Sequence, residues 1–308
     1  MAMICGCRLI ECRDPLTGGE EEDAGIGVPA SGPSNSLIPL TVLFPAEGVE
    51  RTEQFGPYEI EVAKDAAPIG QNLPIIVISH GNSSTPWAFR DLTKHLARLG
   101  FLVALPEHPG NNRRDNSLAG TVANLENRPR HISAVIDAVV SDPVLRDRVA
   151  PVGVGVIGHS IGAYTALAVA GGKPWSAPHE SKDGESRPVP VVPDKRVRSL
   201  VLLNPATFWF VPETLKEVKI SVMILTGEKD QITPPALAQT VIDGVSDRIL
   251  VRHKVIPGAG HFSFMSKFPS QMIRPDFPPS QDPPGFARED FQPTLFADIG
   301  AFFERTLR

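Results

Sequence analysis

The chain carries a Gly-x-Ser-x-Gly turn, Gly158-His159-Ser160-Ile161-Gly162, between a Val/Gly/Ile run at 152–157 and an Ala/Leu-rich run that starts at Ile161. This pattern predicts a buried strand, a sharp turn and a helix, with Ser160 pushed out at the apex. Gly158 and Gly162 suit a turn that brings main chain too close for a Cβ. The N–H groups at the start of the helix are free to meet a developing negative charge. Ser160 is therefore the candidate nucleophile, and the other loops are expected to supply its partners.

The rest of the chain fits a fold that can present such a turn. Short apolar runs at 74–79, 101–105, 197–203 and 220–226 read as strands buried on both faces. Further strands are expected at 4–12, 38–44, 58–62 and 249–256. Ala88, Leu92, Leu96 and Leu99 share a helix face that Gly100 closes. Ile132, Val135, Ile136, Val139 and Val140 form a second helical stripe, which Asp142-Pro143 ends. Helices are also expected over 161–170 and 234–245, and over a terminal segment carrying Leu295, Ile299, Phe302 and Phe303. Strand and helix alternate from Ile75 onward. That predicts an α/β fold, with a mostly parallel central sheet and helices on both faces, preceded by N-terminal antiparallel strands.

Two regions are expected: a strand and acidic loop over 1–36, and one domain over 37–308. The domain carries inserts at 171–194 and 268–293, rich in Pro and lacking periodicity. Loops of this length are usually functional, so both inserts are candidate cap elements. The run Glu20-Glu21-Glu22-Asp23 reads as a solvated face.

Composition removes several function classes. With 308 residues and a net charge of -5 there is length for a large core and no basic footprint for nucleic acid. Cys5, Cys7 and Cys12 are an odd, bunched set with no nearby His, which fits neither a disulfide framework nor a zinc site. No dinucleotide or phosphate loop stands out, so neither metal nor cofactor is expected. No apolar run approaches the roughly 20 residues of a spanning helix, and the start does not read as a signal peptide. The default expectation is a cytoplasmic protein acting on a small molecule.

Acyl transfer by a serine needs a base, a group that orients the base, and donors for the oxyanion. The expected chain order is Ser, then Asp or Glu, then His. His261 follows the final strand in Gly258-Ala259-Gly260-His261-Phe262 and is the candidate base. Asp230 follows an earlier strand and precedes Pro234; it is the candidate acid, with Glu228 as its rival. The oxyanion donors are expected to be the N–H groups of Ile161 and of Asn82 in the loop His80-Gly81-Asn82. His80 and His159 are expected to be structural. Trp87, Phe89, Trp209, Phe210, Phe262 and Phe264 flank these loops and are candidate pocket residues.

These stretches resemble the α/β-hydrolase superfamily. More narrowly, they resemble a bacterial group of predicted dienelactone hydrolases related to platelet-activating-factor acetylhydrolase. The matching segments are Ile78-Ser79-His80-Gly81-Asn82, Trp87-Ala88-Phe89-Arg90, Glu107-His108, the Ser160 turn, His261-Phe262-Ser263-Phe264 and Asp282-Pro283-Pro284-Gly285-Phe286. The resemblance implies a cofactor-free serine esterase, with Ser160 as nucleophile, His261 as base, and Asn82 and Ile161 as oxyanion donors. In the acetylhydrolase branch the acid follows an earlier strand, where this chain has Asn204; Asp230 fits the more usual superfamily position. The expected activity is hydrolysis of a carboxylic ester through an acyl-enzyme. Alternatives are an amide or lactone substrate, acyl transfer by the same residues, or a non-catalytic binding protein on the same fold.

Overall fold

The computed structural model describes residues 4–14 and 37–308, so the expected acidic loop at 20–23 lies outside the described residues. Among the described residues ten strands form one sheet in the order β10-β9-β8-β7-β5-β6-β2-β1-β4-β3. They are β1 (Ile4–Arg13), β2 (Leu37–Ala46), β3 (Arg51–Phe55), β4 (Tyr58–Lys64), β5 (Ile75–Ser79), β6 (Leu102–Pro106), β7 (Val154–His159), β8 (Val197–Leu203), β9 (Ser221–Gly227) and β10 (Val251–Ile256). The helices are α1 (Arg90–Arg98), α2 (Val122–Ser141), α3 (Ile161–Val169), α4 (Ala238–Gly244) and α5 (Arg288–Leu307).

Strands β5 to β10 pair in parallel. The N-terminal strands β1 and β2 pair antiparallel over ten residues, and β2 joins the parallel part through antiparallel pairing with β6. Side chains alternate between two cores. Ile75, Val77, Leu200 and Leu202 face the layer of α2, α3 and α4. Ile76, Ile78, Val201 and Leu203 face the layer of α1 and α5. Strands β5 and β8 are buried on both sides, which is why their sequences read as continuous apolar runs.

The chain runs from β5 through α1 to β6, then returns through α2 to β7 on the other side of β5. The order reverses beside β5, and the carboxyl ends of β5 and β7 flank that point. Open α/β sheets bind ligands at such a reversal.

Three elements differ from expectation. Strand β3 has the polar sequence Arg-Thr-Glu-Gln-Phe and lies at the sheet edge, so it carries no apolar signal. Helix α2 begins ten residues before its apolar stripe, with Thr121 Oγ1 accepting the Asn124 N–H at 3.2 Å. It runs through Pro129, whose missing N–H would leave the Leu125 carbonyl unpaired. The Tyr164 hydroxyl donates to that carbonyl at 2.9 Å and fills the gap. Helix α5 starts at Arg288, inside the segment expected as insert, with Pro293 in its second turn. The Arg288 N–H and Nε both donate to the Asp282 carboxylate, at 3.0 and 2.8 Å, and fix that start.

Cys5, Cys7 and Cys12 are buried free thiols, each pushed up to about 12 mainly by burial. Among the described residues no helix is long and apolar enough to cross a membrane.

Candidate active site

Ser160 sits between β7 and α3 with φ 55° and ψ -120°. A non-glycine residue in that region is strained and persists only where its surroundings fix it. Here they do: the Ser160 N–H donates to Leu203 O at 3.0 Å, and Ser160 O accepts from Ala163 and Ala206 at 2.9 and 3.1 Å. The turn tolerates no side chain on either flank. A Cβ at Gly158 would lie 2.2 Å from Gly162 O, and one at Gly162 would lie 2.0 Å from Ser79 O. That second approach presses the start of α3 against the end of β5. The Ser160 side chain makes no capping hydrogen bond to α3 and faces a cavity instead.

The structure brings Asp230 and His261 together from two different loops. Asp230 follows β9 and His261 follows β10, and both are buried. His261 Nδ1 donates to Asp230 Oδ2 at 2.8 Å. The other carboxylate oxygen, Oδ1, accepts the N–H groups of Ile232 and Thr233 at 2.8 and 2.9 Å. Burial pushes the Asp230 carboxyl up, but the His261 hydrogen bond and charge and the Thr233 bonds outweigh it and hold it below its usual value. Asp230 is therefore ionised. That leaves His261 Nε2 as the nitrogen free to exchange a proton, and His261 lines the same cavity as Ser160. The rival acid is elsewhere: Glu228 Oε2 accepts the Gly258 N–H at 2.8 Å in an exposed turn.

Two residues of this cluster lie outside the predicted set. Thr233 Oγ1 is 2.8 Å from Asp230 Oδ2, 3.0 Å from Asn204 O and 3.1 Å from His261 Nδ1. Its signal is the Asp-x-x-Thr spacing of an Asx turn before Pro234. Asn204, at φ 45°, is buried after β8. Its Nδ2 donates to the carbonyls of Gly260 and His261 at 3.1 and 2.9 Å, and its Oδ1 accepts the Gly227 N–H at 2.7 Å. The amide ties together the loops that carry Asp230 and His261. His159 Nε2 donates to the same His261 carbonyl at 2.9 Å. Burial, with His261 beside it, pushes the His159 imidazole down to about 3, so it is neutral.

Asn82 and Ile161 flank Ser160 from the β5 loop and the first position of α3. Neither N–H is given to another acceptor among the described residues.

The cavity has a volume of about 220 Å³. Of the six expected pocket residues only Phe262 lines it. Phe89 and Phe264 are packed in the α1/α5 core, and Phe210 in the other core. Trp87 stacks on Phe55 at 4.0 Å, and Trp209 packs on Tyr164 with Nε1 donating to Glu180. These aromatics lie near the loops in sequence, but their rings point into layers beneath the site. The apolar walls are instead Tyr58, Ile232, Met265, Phe268 and Phe277. The segment 268–293 thus contributes to the cavity, whereas 171–194 contributes none of its lining and packs through Glu180 and Trp175 beside Trp209.

The fold is matched by known proteins. A family profile described as alpha/beta hydrolase family matches residues 76–208. The chain has the α/β-hydrolase fold. Among solved structures, a ferulic acid esterase from Streptomyces cinnamoneus superposes with a TM-score of 0.69 at 18% identity, over 100% of this chain and 91% of the esterase. A dienelactone hydrolase from Anabaena variabilis superposes with a TM-score of 0.53 at 14% identity, over 89% of this chain and 94% of that one. No curated protein matches the sequence. At these identities the two structures bear on the fold alone.

Proposed function

We propose that this α/β-hydrolase is a serine-dependent carboxylic ester hydrolase that works through an acyl-enzyme. The observation that carries the reading is the 2.8 Å contact from His261 Nδ1 to a buried, ionised Asp230, in a cavity that also holds Ser160 on its strained turn. A non-catalytic binding protein has no use for that arrangement.

Ser160 Oγ attacks the ester carbonyl as His261 Nε2 takes its proton. Asp230 holds the imidazole in the tautomer with Nδ1–H and stabilises the imidazolium that forms. The N–H groups of Asn82 and Ile161 meet the oxyanion, an effect typically worth about 10²–10³ in rate per donor. The imidazolium protonates the departing alcohol. Water, activated by His261, then releases the acid and restores Ser160.

The aromatic and aliphatic walls favour an apolar or aromatic group beside the scissile carbonyl. The likeness to a ferulic acid esterase is in keeping with this preference. A panel of p-nitrophenyl esters, run with fluorophosphonate labelling, tests the reading. Turnover of short and aromatic esters with one label per chain is expected. A protein that is folded, unlabelled and inert toward every ester contradicts it.

A further inference from the structure

Helix α2 places an arginine where arginine is rarely found. Arg128 is fully buried, and no carboxylate pairs with it among the described residues. All its hydrogen bonds go to neutral groups. Nε donates to Thr165 Oγ1 at 2.9 Å and Nη1 to Asn111 Oδ1 at 2.6 Å. Nη2 donates to Ser79 Oγ at 3.2 Å and, closely, to the carbonyl of His80. A buried cation without an opposite charge is costly, and burial depresses its proton affinity from the usual range to about 9. It remains a cation at neutral pH.

Two of these bonds lead to the loop that faces Ser160. The His80 carbonyl belongs to the peptide just before the Gly81–Asn82 peptide, so the cation on that oxygen holds the main chain that presents the Asn82 N–H. Asn111 Nδ2 in turn donates to Asn82 Oδ1 at 2.6 Å. The loop packs directly on the nucleophile turn, since a Cβ at Gly81 would meet His159 Nδ1 at 3.1 Å and Ser160 Cβ at 3.5 Å.

The guanidinium is itself held from behind. Ser79 Oγ lies 2.9 Å from His108 Nε2, His108 Nδ1 lies 3.1 Å from His131 Nδ1, and His131 Nε2 lies 3.7 Å from Asp14 Oδ2. One set of tautomers suits the whole chain: Ser79 donates to His108 and His108 to His131, with the His131 Nε2–H turned toward the Asp14 carboxylate. The hydroxyl and the two imidazoles next to the guanidinium are neutral, so they orient Ser79 toward Arg128 without cancelling its charge.

We propose that Arg128 is a positioning residue for the oxyanion: it clamps the His80-Gly81-Asn82 loop through the His80 carbonyl and Asn111, and it keeps a fixed positive charge behind that loop. The proposal rests on the hydrolase reading above. A preorganised charge aimed where negative charge develops acts on the transition state and not on the bound ester.

The test compares wild type, Arg128→Met and Arg128→Lys with a p-nitrophenyl ester and with an alkylboronic acid, which adds to a serine oxygen as a tetrahedral anion. Thermal melts report folding. The expected result is a fall of about 10²-fold in kcat for Arg128→Met with KM nearly unchanged. Boronate affinity falls in parallel, and Arg128→Lys recovers part of both losses. A folded Arg128→Met variant with wild-type kcat and boronate affinity overturns the proposal. So does a rate loss with no loss of boronate affinity. If Arg128→Met does not fold, Asn111→Ala decides: about a tenfold fall in kcat at constant KM is expected, and unchanged kcat overturns the clamp. Wild-type protein that takes no fluorophosphonate and turns over no ester removes the hydrolase reading and the proposal with it.

Discussion

His159 Nε2 donates to the main-chain carbonyl of His261 at 2.9 Å. The residue just before the candidate nucleophile thus anchors the candidate base, and Asn204 reaches the same carbonyl at 2.9 Å from β8. Two neighbouring strands therefore fix one imidazole relative to Ser160. Removing either donor is expected to loosen the base without emptying the cavity. We expect His159→Leu and Asn204→Ala each to lower kcat by about 10–100-fold with a smaller change in KM. Asn204→Ala falls further because it also releases the Gly227 N–H. Steady-state kinetics on a p-nitrophenyl ester checks this; equal, purely KM effects would contradict the anchoring role.

Asp230 and Glu228 are two residues apart but do different things. Asp230 is buried against His261, whereas Glu228 holds the Gly258 N–H in an exposed turn. Asp230→Asn is expected to lower kcat by about 10⁴, because the amide no longer fixes the tautomer of His261. Glu228→Gln is expected to leave kcat within a few-fold. The reverse ranking in the same assay would assign the acid to Glu228.

Acid should destabilise this fold early. His80 and His159 are both pushed down to about 3, burial being the main cause, and His108 and His131 are lowered for the same reason. Between pH 3 and the unfolded value near 6.5 the unfolded chain binds protons that the folded one does not. Stability is therefore full above pH ~6.5 and declines as pH falls below it, by up to about 1.4 kcal/mol per pH unit for each such group. Asp230, held below its usual value, adds a further loss at lower pH as it takes up a proton. Urea midpoints at pH 7.5, 6.5 and 5.5 should drop steadily over the last interval, and a flat profile there argues that these imidazoles are not buried neutral groups.

Phe277 comes from the segment 268–293 and closes one wall of the cavity with Phe268. Their rings meet edge-on at 5.2 Å. Phe277→Ala should lengthen the pocket. We expect the ratio of kcat/KM for longer over shorter acyl chains to rise by about tenfold or more. A ratio that stays constant across the ester series would place selectivity elsewhere.

The sequence was most readable where one physical rule dominates. Strands β5 and β7 are buried on both faces, so Ile75-Ile76-Val77-Ile78 and the Gly/Val/Ile run before Ser160 announce themselves. The turn at Ser160 is written in the glycines its backbone contacts require. Asp230 and His261 are legible by their place after strands and by chain order. Where several rules compete, reading fails. Arg128 lies on a helix, where a charged residue is ordinarily solvated, and only the fold reveals that it is buried. The cavity walls come from Tyr58 in a hairpin strand and from Phe268 and Phe277 more than a hundred residues beyond Ser160. Proximity to a motif in sequence pointed instead at Phe89 and Phe264, whose rings face the core.

In the proposed mechanism Ser160 attacks the substrate. Turnover of a reactive p-nitrophenyl ester by Ser160→Ala, set beside wild type at matched folded concentration, tests it most directly. A fall in kcat on the order of 10⁶ and loss of the fluorophosphonate label are expected. A Ser160→Ala protein that keeps wild-type turnover would contradict the mechanism.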